Sequence, residues 1–243
     1  MSGHSKWATI HRQKEVKDAA RGNLFTKLAR AITIAAKTGG GPIPESNFKL
    51  RITIEKAKAA NMPKDNIERA LRQAQGGESI EEVTYEGFGP GGIGIIIETA
   101  TDNRNRTGQE IKNIFERVGG RLAGPGAVSF NFEPKGFLII SKEGVSQGKL
   151  LELIDAGVDD FEEGVDEIEA YTKYEKLSDV KKILEEKGFI VESAELIQKP
   201  KSWVSVAGEN GAEKALAFLD SLAGLDDVQK VYSNLDIPDS LIA

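Results

Sequence analysis

The 243-residue chain contains no cysteine, which excludes disulfides and thiolate metal sites and makes a reducing cytoplasm its expected home. Histidine is almost as scarce: His4 and His11 are the only two, seven residues apart, and they make a weak case for a metal site. Long apolar runs are also lacking. Ile93 to Ile97 and Phe137 to Ile140 are strand-sized and too short to cross a bilayer. The first thirty residues carry seven basic side chains and no apolar core of a secretory signal. The acids clustered from Asp159 to Glu167 show no histidine or lysine in a pattern that marks an acid–base pair, and no serine stands in one that marks a nucleophile. An enzyme is therefore not expected, nor a cofactor, a small-molecule substrate or a membrane partner.

The apolar fraction of 40% and charged fraction of 29% are those of an ordinary globular protein, long enough for two or three domains. The net charge of −6 conceals an asymmetry. Residues 1–78 hold 15 Lys and Arg against 7 Asp and Glu, while the remainder holds 17 basic and 31 acidic residues. A module of charge +8 on a body of charge −14 suggests a polyanion-facing part joined to one that repels polyanions.

Residues 1–16 lack helical periodicity and read as an arm. Lys6, Arg12, Lys14, Lys17 and Arg21 are interleaved there with Trp7 and His11. The cations can neutralise phosphates, and Trp7 either stacks on an unpaired base or folds back onto the domain. A helix is expected over 17–37, with Leu24, Leu28, Ala31, Ile32 and Ala35 on one face and Lys27, Arg30 and Lys37 on the other. A second helix is expected over 45–60, burying Phe48, Ile52 and Ala59, and a third from Pro63 to the glycines at 76 and 77.

Beyond residue 79 the period changes to alternating strands and helices. Residues 136–198 give a complete β-α-β-β-α-β unit, the ferredoxin-like arrangement. Flanking it are a strand at 92–99, a helix at 107–118, a strand at 127–132, a helix at 211–222 and a strand at 227–233. The expected fold is thus α+β: a basic helical domain over 1–78, a discontinuous α/β domain over 79–132 and 202–243, and an acidic ferredoxin-like domain inserted at 133–201.

Two patterns that suggest chemistry read better as structure. Gly87-Phe88-Gly89-Pro90-Gly91-Gly92 satisfies a dinucleotide fingerprint, yet it precedes a strand and does not open a helix. The acids from Asp159 to Glu167 surround a turn at Gly164, with Phe161 where calcium-loop spacing needs an oxygen ligand. In Thr101–Thr107, Asn105 or Thr107 suits a helix cap, but neither a cap nor a turn requires Arg104 and Arg106. Those two arginines serve either phosphate contact or internal salt bridges. Trp203 reads as a packing residue.

Several long motifs occur in order: Gly3–Trp7, Ile10–Arg12, Arg21–Arg30, Asn61–Ala70, Tyr85–Glu98 and Thr101–Thr107. With these the chain resembles the YebC/PmpR family, to which a mitochondrial translational activator of cytochrome c oxidase belongs. The resemblance implies three domains, one helical and two α/β, and a cytoplasmic transcriptional regulator that binds DNA. It also implies a ribosome- or tRNA-associated factor that relieves stalling at proline-rich stretches. Gln13 and Asn23 stand where that pattern has basic residues. Lys6, Trp7, Arg12, Lys14, Arg21, Lys27, Arg30, Lys37, Arg104 and Arg106 are the expected contacts to nucleic acid. A protein adaptor working through the acidic inserted domain is the reading from a different class.

Overall fold

The computed structural model describes residues 21–38, 40–76, 80–206 and 209–237. Three helices come first: α1 (Arg21–Thr38), α2 (Phe48–Ala59) and α3 (Lys64–Gln75). Leu28, Ile32, Ala35 and Ala36 of α1 bury themselves against Leu50, Ile54 and Ala57 of α2, Met62, and Ile67 and Ala70 of α3. The inner face of α2 differs from the expected one. Phe48 and Ile52 are half-buried and Ala59 is exposed. Asn47 sets the rotation: its side chain accepts from Leu50 N at 2.9 Å and donates to the carbonyls of Ala35 and Gly41 at 2.7 Å. That cap ties the start of α2 to α1 and turns Leu50, Ile54 and Ala57 inward. Asn61, at φ 58°, makes the left-handed turn from α2 into α3.

The α/β part contains β1 (Glu81–Phe88), β2 (Gly94–Thr101), α4 (Arg104–Arg117) and β3 (Arg121–Ala123). Past an inserted segment of six elements, the same part resumes with β8 (Val204–Ser205), α7 (Glu209–Ala223), β9 (Val228–Ser233) and β10 (Leu235–Asp236). Its sheet runs β3-β1-β2-β9 with antiparallel pairing throughout, and β8 pairs with β10 in a separate parallel ladder. Ile111 and Phe115 of α4 and Phe218, Leu219 and Leu222 of α7 pack in one cluster with Ile93, Ile95 and Ile97. Phe115 meets Phe218 edge-on at 5.0 Å.

Two expectations fail here. β1 lies where no strand is expected, because its pattern Glu-Glu-Val-Thr-Tyr-Glu-Gly-Phe reads as polar until the sheet is assembled. The strand expected over 127–132 is a turn and a short 3-10 helix, Ser129–Asn131. Glu86 is the cause. Its buried carboxylate accepts the N–H groups of Gly126 and Val128 at 2.8 and 2.7 Å and of Ser129 at 2.9 Å, taking donors that a sheet ladder would have used. The glycine run at 87–92 closes the β1–β2 hairpin, with Gly91 and Gly92 at φ 70° and 80°.

The inserted unit spans Phe132–Lys199. It contains β4 (Phe132–Ser141), α5 (Gln147–Asp155), β5 (Asp160–Glu163), β6 (Glu167–Lys173), α6 (Leu177–Glu186) and β7 (Val191–Pro200), with sheet order β5-β6-β4-β7. This is the ferredoxin-like arrangement. Its acidic turn is paired with lysines: Lys142 with Glu163 at 3.0 Å, Lys199 with Asp160 at 3.0 Å and Lys135 with Asp159 at 3.3 Å.

Candidate nucleic-acid interface

Lys6, Trp7, Arg12 and Lys14 lie outside the described residues. Arg21 opens α1, but its side chain is also outside them. Lys27 and Arg30 depart from expectation, because the side of α1 that carries them docks against the α/β body. Lys27 Nζ donates to the Ala223 carbonyl at the end of α7, and Arg30 donates to Asp227. Lys37 is exposed in the last turn of α1. Arg106 bridges Asp102 at 2.8 Å and Asp227 at 2.7 Å, so an internal salt bridge accounts for it. The Arg104 side chain is exposed, while its carbonyl accepts from Tyr85 Oη at 3.0 Å.

Asp227 organises this region, and nothing in the sequence singles it out. Its side chain is 3% exposed. One oxygen accepts from Arg30; the other accepts from Arg106, from Thr101 at 3.0 Å and from Thr107. The two hydroxyl oxygens lie 2.8 Å apart around that carboxylate oxygen, and the Asp227 carbonyl receives Ala100 N–H at 2.8 Å. Burial pushes the carboxyl pKa up, but the hydrogen bonds from Thr107 and Arg106, the Arg30 charge and the Thr101 hydroxyl outweigh it and hold the pKa below the usual range. A helix of the bundle, the start of α4 and the loop before β9 thus meet on one buried anion.

Further cations face solvent on α2 and α3. Lys56 and Lys58 on α2 and Lys64, Arg69 and Arg72 on α3 are exposed or partly so, and Arg51 is half-exposed with its guanidinium 5.6 Å from the Phe48 ring centre. Arg69 and Arg72 sit roughly opposite Ile67 and Ala70 around α3, so burying the core drives them outward. The acids sharing these two helices are Glu55, Asp65 and Glu68. The sequence reading counts all six cations in the basic excess but places a one-sided basic face only on α1. On α3, Lys64, Arg69 and Arg72 also fall on one side of the helix, whereas on α2 only the fold shows that Arg51, Lys56 and Lys58 reach solvent.

The whole chain has close relatives. Residues 5–77 match the TACO1/YebC protein N-terminal domain, and residues 80–235 match the TACO1/YebC second and third domain. A protein of Dictyoglomus thermophilum named "Probable transcriptional regulatory protein" is 48% identical, with 100% of this chain and 98% of the relative aligned. One of the same name from Chloroflexus aurantiacus is 47% identical over the same shares. The crystal structure of a conserved hypothetical protein from Aquifex aeolicus superposes with a TM-score of 0.84 at 45% identity, covering 91% of this chain and 93% of that one. With both families of domain matched in order along its length, this chain belongs to the TACO1/YebC family.

Proposed function

We propose that this protein is a non-enzymatic, cytoplasmic regulator of gene expression that grips nucleic-acid phosphates with the solvent side of α2 and α3. The observation that carries this is the set Arg51, Lys56, Lys58, Lys64, Arg69 and Arg72, displayed on two adjacent helices of an otherwise acidic protein. Lys37, Arg104 and the arm residues Lys6, Trp7, Arg12, Lys14 and Arg21 extend the footprint. Lys27, Arg30 and Arg106 support it indirectly, by holding the bundle against the α/β body. The names of the relatives favour transcription as the setting, and DNA is the nucleic acid that setting supplies.

The test is affinity against salt. Each phosphate neutralised contributes about −0.7 to −0.9 to the log–log slope. Replacing Lys56, Lys58, Arg69 and Arg72 together with glutamine is expected to flatten the slope by about 3 units. An unchanged slope removes the interface. A ribosome- or tRNA-bound translation factor is the second reading, favoured by the preponderance of long cationic side chains, which suit backbones of any sequence. Co-sedimentation with ribosomes after DNase treatment separates the two.

A further inference from the structure

Phe130 is 72% exposed, yet the loop that carries it is tied down on both sides of the ring. Glu86 holds the preceding residues through three backbone N–H groups. Lys201 Nζ donates to the Phe130 carbonyl at 2.9 Å and Lys201 N–H to the Asn131 carbonyl at 2.8 Å, while Ser202 Oγ bonds Asn131 Oδ1 at 2.8 Å. Burying a carboxylate is costly, and here hydrogen bonding holds its pKa low against the upward push of burial. A large apolar ring left in water gains nothing for folding, so this anchoring is better explained by what the ring meets.

The chemistry around it is specific. Glu86 and Phe88 project from the same face of β1, and a Cβ on Gly94, opposite Phe88, would lie 3.5 Å from Val128. The loop therefore lies beside Phe88, over whose ring the exposed Arg121 guanidinium sits at 5.1 Å. No aspartate or glutamate occurs from Val118 to Asn131 or from Pro200 to Val206, although the chain outside residues 1–78 carries a large acidic excess. The acid at this loop, Glu86, is buried and spent on backbone N–H groups, so the exposed ring of Phe130, the exposed Arg121 and Lys201 are side chains of the kinds on which unpaired bases stack while cations follow the backbone.

We propose that Phe130, with Arg121 and Lys201, is a second nucleic-acid contact that takes an unpaired nucleotide of a single strand. This rests on the nucleic-acid reading above and adds to it a strand class and a second site on the α/β part. Duplex nucleic acid keeps its bases stacked internally and offers the ring no face, so the site discriminates by strand state.

The experiment uses the full chain with a short single-stranded oligonucleotide and the matching duplex as separate probes. Phe130→Ala is expected to weaken single-strand binding about 5- to 150-fold, the range corresponding to one stacked base, and to leave duplex binding within about twofold. Phe130→Tyr is expected to retain single-strand binding. Lys201→Gln is expected to flatten its salt slope by about 0.7. Because Phe130 is exposed, its variants are expected to unfold at the wild-type urea midpoint. Equal losses on both probes, or no loss on either, overturn the proposal. So does unchanged oligonucleotide binding together with lost ribosome co-sedimentation, which would assign the ring to a ribosomal surface and not to an unpaired nucleotide of a free strand. If the wild-type chain binds neither probe, the broader function falls as well; if it binds both and Phe130→Ala changes nothing, only this site falls.

Discussion

Asp227 and Glu86 show how much of this molecule depends on single buried anions. Each is surrounded by donors on several sides and holds a pKa below that of an exposed carboxyl, hydrogen bonding prevailing over the desolvation that opposes it. Asp227→Ala would leave Arg30 and Arg106 facing an empty site. Breaking a buried pair from one side costs about 3–5 kcal/mol, and the lower end is expected because both guanidinium groups reach water. Urea unfolding reads this as a lowered midpoint. The sign with pH follows from the depressed values. The carboxylates contribute their full stability above about pH 4–5, the range of unfolded carboxyls, and lose it as pH falls through their folded values. Acid titration of the wild type should show that loss, and Asp227→Asn should show a smaller one.

At the level of elements, close approach between β1, β3 and α4 limits what sequence can change. A Cβ at Gly87 would lie 2.6 Å from Phe115 Cε1 and 2.7 Å from the Arg121 carbonyl oxygen. The ring can turn, but the oxygen belongs to the ladder between β1 and β3 and cannot move without breaking it. Gly87→Ala is expected to cost about 1–3 kcal/mol, measured by denaturant midpoint, with the slope of the transition unchanged. Elements with a strong period are legible in the sequence. The stripe at Leu28, Ile32 and Ala35 marks α1, and the six elements from 136 to 198 arrive in ferredoxin-like order. β1 is not legible, because Glu82, Thr84 and Glu86 share one face and the carboxylate buried there answers to a loop forty residues away.

In the whole molecule the inserted unit leaves and rejoins its host at neighbouring points. Asn131 bonds Lys201 and Ser202 through backbone and side chain, so the two ends of the host segment already touch. Excising residues 132–199 and bridging the gap with a short glycine-serine link is therefore expected to leave the remainder folded, since insertion points with adjacent ends tolerate such changes. Cooperative thermal unfolding followed by circular dichroism checks this; loss of the transition would show that the host needs the insert. The shortened chain should keep the salt-dependent binding assigned to α2 and α3.

Fold class, the helical bundle, the ferredoxin-like order and the concentration of positive charge in the first third of the chain are all written locally. They follow from periodicity and composition, which act over a few residues or need only counting. Which cations are available is a matter of packing. Lys27, Arg30 and Arg106 look like Lys58, Arg69 and Arg72 along the chain, and only the assembled fold turns the first three onto Ala223 and Asp227 and leaves the others toward water. Whether a charge is used inside the fold or offered to a partner depends on contacts more than a hundred residues apart, and no local pattern encodes them.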